Sequence, residues 1–284
     1  MLVKRNLQLF FRDGGNVVAS LMGGLVLLVM YVLFLGDMMT EAMQAEGFYS
    51  DYIRLAISGI MFGGMVALTS LSSSMGAVGI GVADKEKAMK DFLTSPVSRK
   101  KITLSYIVSS SVVGFVITGV VLILSVIYIA VSSSNLPGMV DWGRLLLTIA
   151  LSALCANAMG FFLSTFVKTQ AAFAAITAVV GMVVGFIMGI FIPIGQLPGA
   201  MQWVIRLFPM SHSVSMFRQI LADGALTTAF AGAPEALGDF REMFGLVFTY
   251  GDYTSSFLMS AVVLAGTTVL FYALSLTVMA KRKA

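Results

Sequence analysis

The chain has one cysteine, Cys155, and one histidine, His212, among 284 residues, and this scarcity excludes several kinds of chemistry. A lone cysteine makes no intramolecular disulfide. One histidine and one cysteine far apart make no metal site. Serine is plentiful, but a serine hydrolase needs a histidine held in working geometry. His212 lies between Ser211 and Ser213 at the start of a short helical piece, where a capping or interfacial role is the simpler reading. No GxxxxGK[ST] occurs, so a nucleotide is not cradled by that means. Charge is scarce too: 11% of residues are charged against 58% hydrophobic, and the mean hydropathy is +0.94. Soluble domains carry about 25% charged residues, so most of this chain cannot be solvated. Its apolar runs are continuous rather than alternating, which argues against a membrane barrel. The expected class is an all-α polytopic membrane protein forming one membrane domain over residues 1–284.

What is present is long apolar runs. Leu55–Ala83 and Ile102–Val140 contain no Asp, Glu, Lys or Arg. Each exceeds the roughly 20 residues that a helix needs to cross the hydrocarbon. Uncharged windows place six spans at about 17–35, 55–80, 102–131, 145–167, 171–192 and 255–280. The first run is followed by no small-residue cleavage site and soluble domain, so it reads as a retained anchor. Between the second and third spans lies a polar island, 84–101, reading DKEKAMKDFLTSPVSRKK. It predicts a short helix: Asp84 can cap it, Glu86 and Lys90 are spaced i,i+4, and Pro96 stops it. Ala88, Met89, Phe92 and Leu93 share one face. A loop helix that turns an apolar face to water expects a partner there.

Thirteen of the eighteen basic residues fall in the two termini, the 84–101 island and Lys168, all on one side of the spans. The other five are Arg54, Arg144, Arg206, Arg218 and Arg241. The positive-inside rule then places both termini in the cytoplasm. The start, MLVKRNLQLFFRDGG, puts Val3, Leu7, Phe10 and Phe11 opposite Lys4, Arg5, Gln8 and Arg12, the pattern of an interfacial helix over 1–14 ended by Gly14 and Gly15. After Pro193, two short pieces at 199–207 and 211–221 read as external half-helices that dip into the outer leaflet or lie across it, with Arg206 and Arg218 reaching headgroups. Residues 222–252 read as an external loop. No charged residue is expected within a span. Ion-coupled carriers generally need such residues or paired broken helices at the midplane, so energy for uphill movement must enter from outside the membrane domain.

Three stretches carry a resemblance: LFFRDGG before the first span, DKEKAMKDFLTSPVSRKKI in the inner loop and FPMSHSVSMFRQIL before the last span. In this order and spacing, the chain resembles the permease subunits of ABC-2-type exporters. It departs from many relatives in the loop helix, which reads Lys87–Ala88–Met89–Lys90 where they have a Gly-Thr pair. The resemblance implies a permease without catalytic residues or bound cofactor, paired with a second permease (a copy or a different chain) and with separate ABC ATPase subunits that use ATP and magnesium. It implies a home in the cell (plasma or inner) membrane and no nucleic-acid partner. Docking to the ATPase would use Ala88, Met89, Phe92 and Leu93 as an apolar knob and Lys85, Glu86, Lys90 and Asp91 as its rim, between Asp84 and Pro96.

In the fifth span Gly181, Gly185 and Gly189 recur every four residues, and Gly59 and Gly63 repeat the spacing in the second. Such stripes let helices approach closely. They fit either a permease–permease seam and gate or packing within the chain. Phe62, Met65 and Thr69 share a face of the second span, and Met182 and Phe186 one of the fifth, as candidates for a pathway fit for amphiphiles. Short external loops favour a drug, antibiotic, peptide or lipid as cargo. A polysaccharide, teichoic acid or ion exported by the same family is the alternative, and a stand-alone channel or ion-coupled carrier is a different class. A membrane-embedded enzyme lacks any catalytic constellation.

Overall fold

In lipid every backbone polar group must be satisfied within the segment itself, so runs this apolar fold as helices. The computed structural model describes residues 2–45, 51–87, 97–133, 141–189 and 192–281. The helices are α1 (Leu2–Arg12), α2 (Gly14–Met30), α3 (Gly36–Ala45), α4 (Asp51–Lys87), α5 (Arg99–Ser133), α6 (Trp142–Ser164), α7 (Gln170–Ile187), α8 (Gly199–Leu207), α9 (Pro209–Ala229), α10 (Pro234–Met243) and α11 (Phe257–Lys281). A π-helical turn, Tyr31–Leu35, joins α2 to α3, and a two-stranded hairpin, β1 (Thr249–Tyr250) and β2 (Tyr253–Thr254), precedes α11. Among the described residues six helical segments are long and apolar enough to cross a membrane: Gly14–Glu41, Asp51–Glu86, Lys100–Val131, Trp142–Ser164, Gln170–Ile187 and Phe257–Met279. These are the six expected spans.

Local sequence starts them. Asp13 caps α2, accepting from the N–H groups of Gly15 and Asn16 at 3.0 and 3.3 Å. Asp141 caps α6 through Arg144 N–H at 3.0 Å, and Thr169 caps α7 through Ala172 N–H at 3.3 Å. Each supplies an acceptor to a first-turn donor that the helix leaves orphaned.

The second span, α4, is the central post. It is apolar on every side and buried along nearly its whole length, and α2, α5, α6, α7 and α9 all pack on it. Its small residues set the approach of its neighbours. A Cβ at Gly59 would strike the carbonyl of Leu221 on α9, and one at Gly63 would lie 2.9 Å from the backbone N of Arg218. A Cβ at Gly160 on α6 would lie 3.2 Å from the Cα of Met75. The glycine pair of the second span therefore serves packing within the chain. Polar side chains pin the other helices. Asn157 on α6 donates to Ser110 on α5 and accepts from the Tyr272 hydroxyl on α11 at 2.9 Å. Ser213 on α9 donates to Ser152 on α6 at 2.8 Å. Hydrogen bonds between membrane helices are each worth about 0.6 kcal/mol, so it is their number across one bundle that matters.

Four expectations change. Helix α4 runs unbroken to Lys87, so Asp84 sits in its last turns rather than capping a new helix. The piece expected at 211–221 extends over Pro209–Ala229, because nothing after Leu221 breaks it and Gly224 is tolerated in open space. Residues 222–252 are ordered as the end of α9, α10 and the start of the hairpin rather than as a loop. Arg206 and Arg218 do not reach for headgroups: Arg206 pairs with Glu242 at 3.0 Å, and Arg218 is buried. His212 is buried as well, bridging the carbonyl of Arg206 and the hydroxyl of Ser260, each at 3.1 Å.

Candidate coupling end and transport cleft

At the polar-island end of the spans, α1 is fastened to α4. Arg5 donates twice to the Asp84 carboxylate, at 2.8 and 3.2 Å, and the Tyr106 hydroxyl of α5 donates to the same carboxylate at 2.6 Å. The bond to Asp84 holds the Arg5 guanidinium above its ordinary range. A forked guanidinium on a carboxylate fixes orientation as well as distance. Asn6 is buried beside Ser105, and Phe10 packs into Ala77, Val113 and Ile117. The apolar ridge of α1 thus meets protein, while Leu9 and Phe11 remain exposed. Glu86 crosses to the fifth span, accepting from Gln170 N–H at the start of α7 at 2.9 Å. One helical turn of α4 therefore holds α1, α5 and α7 together. Of the proposed docking residues, Asp84, Lys85 and Glu86 stand on this turn. Ala88, Met89, Lys90, Asp91, Phe92, Leu93 and Pro96 lie outside the described residues.

Directly beside this turn a cleft of about 370 Å³ opens between α2 and α7, with α4 as its floor. Small residues make up most of each wall: Ala19, Ser20 and Gly23 beside Asn16 from α2, Ser72, Gly76 and Gly79 beside Leu68 from α4, and Ala174, Thr177, Ala178 and Gly181 beside Phe173 from α7. Phe10 and Gln170 line it too, so the cleft reaches α1 and the Gln170 that Glu86 holds. The hydroxyls of Ser20, Ser72 and Thr177 each donate to a carbonyl one turn back at 2.8 Å. What they offer a guest is oxygen lone pairs on an otherwise apolar wall. The volume lies within the range of small-ligand sites, about 300–1,000 Å³.

The candidate pathway residues fall elsewhere. Phe62, Met65 and Thr69 are interior: Phe62 packs edge-on against Tyr31 and Tyr128, and Thr69 lies against Gly24. Met182 and Phe186 are exposed on the outer side of α7, so the structure does not bring the two groups together. The glycine stripe divides likewise. Gly181 borders the cleft with open space over it, and Gly185 is buried. Gly189 lies beyond the end of α7 with φ of 64°, a turn residue rather than part of a helix face. Sequence reasoning missed Tyr106, Asn157 and Tyr272. The signal available was a hydrogen-bonding side chain inside an uncharged span, which in lipid needs a partner.

No individual protein of curated function matches the sequence. The family model described as ABC-2 type transporter matches residues 1–222, from α1 through the greater part of α9. With its six spans and this match over most of its length, the chain belongs to the ABC-2 type transporter family, as a multi-pass permease subunit that works with an ATPase partner.

Proposed function

We propose that this permease is half of the membrane path of an ATP-driven exporter, moving a hydrophobic or amphipathic molecule outward from the cytoplasm or the inner leaflet. ATP and magnesium act on separate ATPase subunits, and a second permease completes the path. Both termini face the cytoplasm of the cell membrane. The observation that carries this reading is the sharing of parts at the inner end. A push on the polar island acts on Asp84 and Glu86, and through them on α1, α5 and α7, of which α1 and α7 supply Phe10 and Gln170 to the cleft. Cleft walls of glycine, alanine and hydroxyl side chains suit an amphiphile, with apolar surface for its body and oxygen atoms for a polar group. Rigid-body displacement of packed helices is an ordinary way for such a push to open a path.

The test is extraction in mild detergent of the tagged chain, comparing wild type with the Met89→Asp, Phe92→Asp variant. The wild type is expected to retain an ATPase subunit and the variant, eluting as a folded protein, to lose it. Vesicles holding the intact complex should then lower the retention of an amphipathic dye only when ATP is supplied on the ATPase side. An ATPase bound equally to both proteins would sink the docking assignment. Dye movement independent of ATP would sink the exporter reading.

A further inference from the structure

Arg218 is 1% exposed and is among the largest fully buried side chains of the protein. None of the ion pairs among the described residues includes it. Three backbone carbonyls hold it instead. Its Nε donates to Ile60 of α4 at 3.1 Å, its Nη1 to Phe244 at the end of α10 at 2.6 Å, and its Nη2 to Gly189 at the end of α7 at 2.8 Å. Phe244 is the C-cap of α10 and Gly189 follows the C-cap of α7, so both carbonyls lie by helix C-termini, the negative ends of the helix dipoles. A buried guanidinium without a carboxylate is tolerable where several such dipoles converge on it.

The cage is shaped for arginine. Gly63 leaves room for its backbone and Cγ, since a Cβ there would lie 2.9 and 3.0 Å from them. Gly189 and Gly245 both take φ of 64°, a conformation that side chains rarely adopt. A Cβ on Gly245 would lie 3.3 Å from Nη1 and strike Ile194, and one on Gly189 would lie 2.5 Å from Ile194. Helix α7 is thus held very differently at its two ends. Outside, it is tied by a charged bond in a dry, closely fitted cage. Inside, its first turn packs Phe173 against Val78, Val82 and Phe161 and has one exposed hydrogen bond, to Glu86. Charged hydrogen bonds out of water resist breaking far more than exposed ones do.

We propose that Arg218 is a positioning residue that locks the outer end of α7 to α4, α9 and α10, so that α7 swings about this knot while its inner end moves with the ATPase. The proposal rests on the ATP-driven reading for the source of the motion, and on the cage alone for the pivot. The experiment places spin labels, in a Cys155→Ala background, at residues 192 and 236 across the knot and at residues 8 and 168 across the inner end. Distances are measured in the complex with its ATPase, without nucleotide and with trapped ATP. The outer distance is expected to stay narrow and unchanged, and the inner one to shift by several ångströms. Arg218→Met should broaden the outer distribution in both states and leave ATP hydrolysis running without transport. Arg218→Lys should not restore it, because one ammonium cannot reach three separated carbonyls. Gly189→Ala, which keeps the arginine and displaces one carbonyl, should broaden it less and serves if Arg218→Met does not fold. An outer distance that shifts with ATP as much as the inner one would overturn the pivot. So would an Arg218→Met distribution as sharp as the wild type. If neither distance responds to ATP, the ATP-driven reading fails, while the nucleotide-free variants still decide whether Arg218 holds the knot.

Discussion

Asp84 holds three hydrogen bonds on one carboxylate, from two arginine nitrogens and a tyrosine, where two other helices meet the end of α4. Replacing it with asparagine keeps the shape and removes the charge. Hydrogen bonds to charged groups contribute about 1.5–3 kcal/mol, so Asp84→Asn should unfold at a measurably lower temperature in detergent. A cycle of Arg5→Ala, Asp84→Ala and the double variant should give a coupling of about 1 kcal/mol, since Arg5 is partly exposed; additive effects would show that α1 is held by its buried face, Asn6 and Phe10, rather than by this pair. Neither residue announces this pairing in the sequence. Arg5 belongs to a basic helix face and Asp84 to the edge of a polar island, and only folding brings together two residues 79 positions apart. The lone thiol is simpler. Cys155 is fully buried in α6, so it should resist maleimide in the folded protein and react only after denaturation.

Among the helices, the glycines of α4 and α7 have the same spacing and different work. Gly59 faces the backbone of α9 directly, whereas Gly181 faces open space beside the cleft. Alanine at position 59 must push backbone apart and should cost about 1–3 kcal/mol, read as a fall in thermal stability. Alanine at position 181 should leave stability unchanged; an equal loss at both positions would mean that Gly181 is packed in the isolated chain. The spacing was legible because closely approaching membrane helices need small residues. The partner was not legible, because a smooth face fits any helix that arrives. The cleft was hidden for a related reason: it belongs to no segment, and its walls are ordinary small residues until three helices stand around them. Spans, by contrast, could be read directly from the uncharged runs, since the thickness of hydrocarbon sets their length.

For the molecule as a whole, sidedness is the property most open to direct test. With Cys155 replaced by alanine, a cysteine at the exposed position 236 should react with a membrane-impermeant maleimide in intact cells, and one at position 8 only after permeabilisation. The reverse pattern would invert the topology. The segment between α7 and α11 was the least legible part of the fold. An arginine near a span end reads as a snorkelling residue at the membrane surface, and no local signal predicts for Arg218 a cage assembled from three distant carbonyls. The central place of α4 also has a consequence in time. Its glycine face waits for α9, and Arg218 bonds to a residue 158 positions before it. During synthesis the second span must therefore enter the bilayer long before its principal neighbour exists. A nascent chain released before Pro209 would carry a complete set of early spans around an unfinished post, a ready target for membrane quality control.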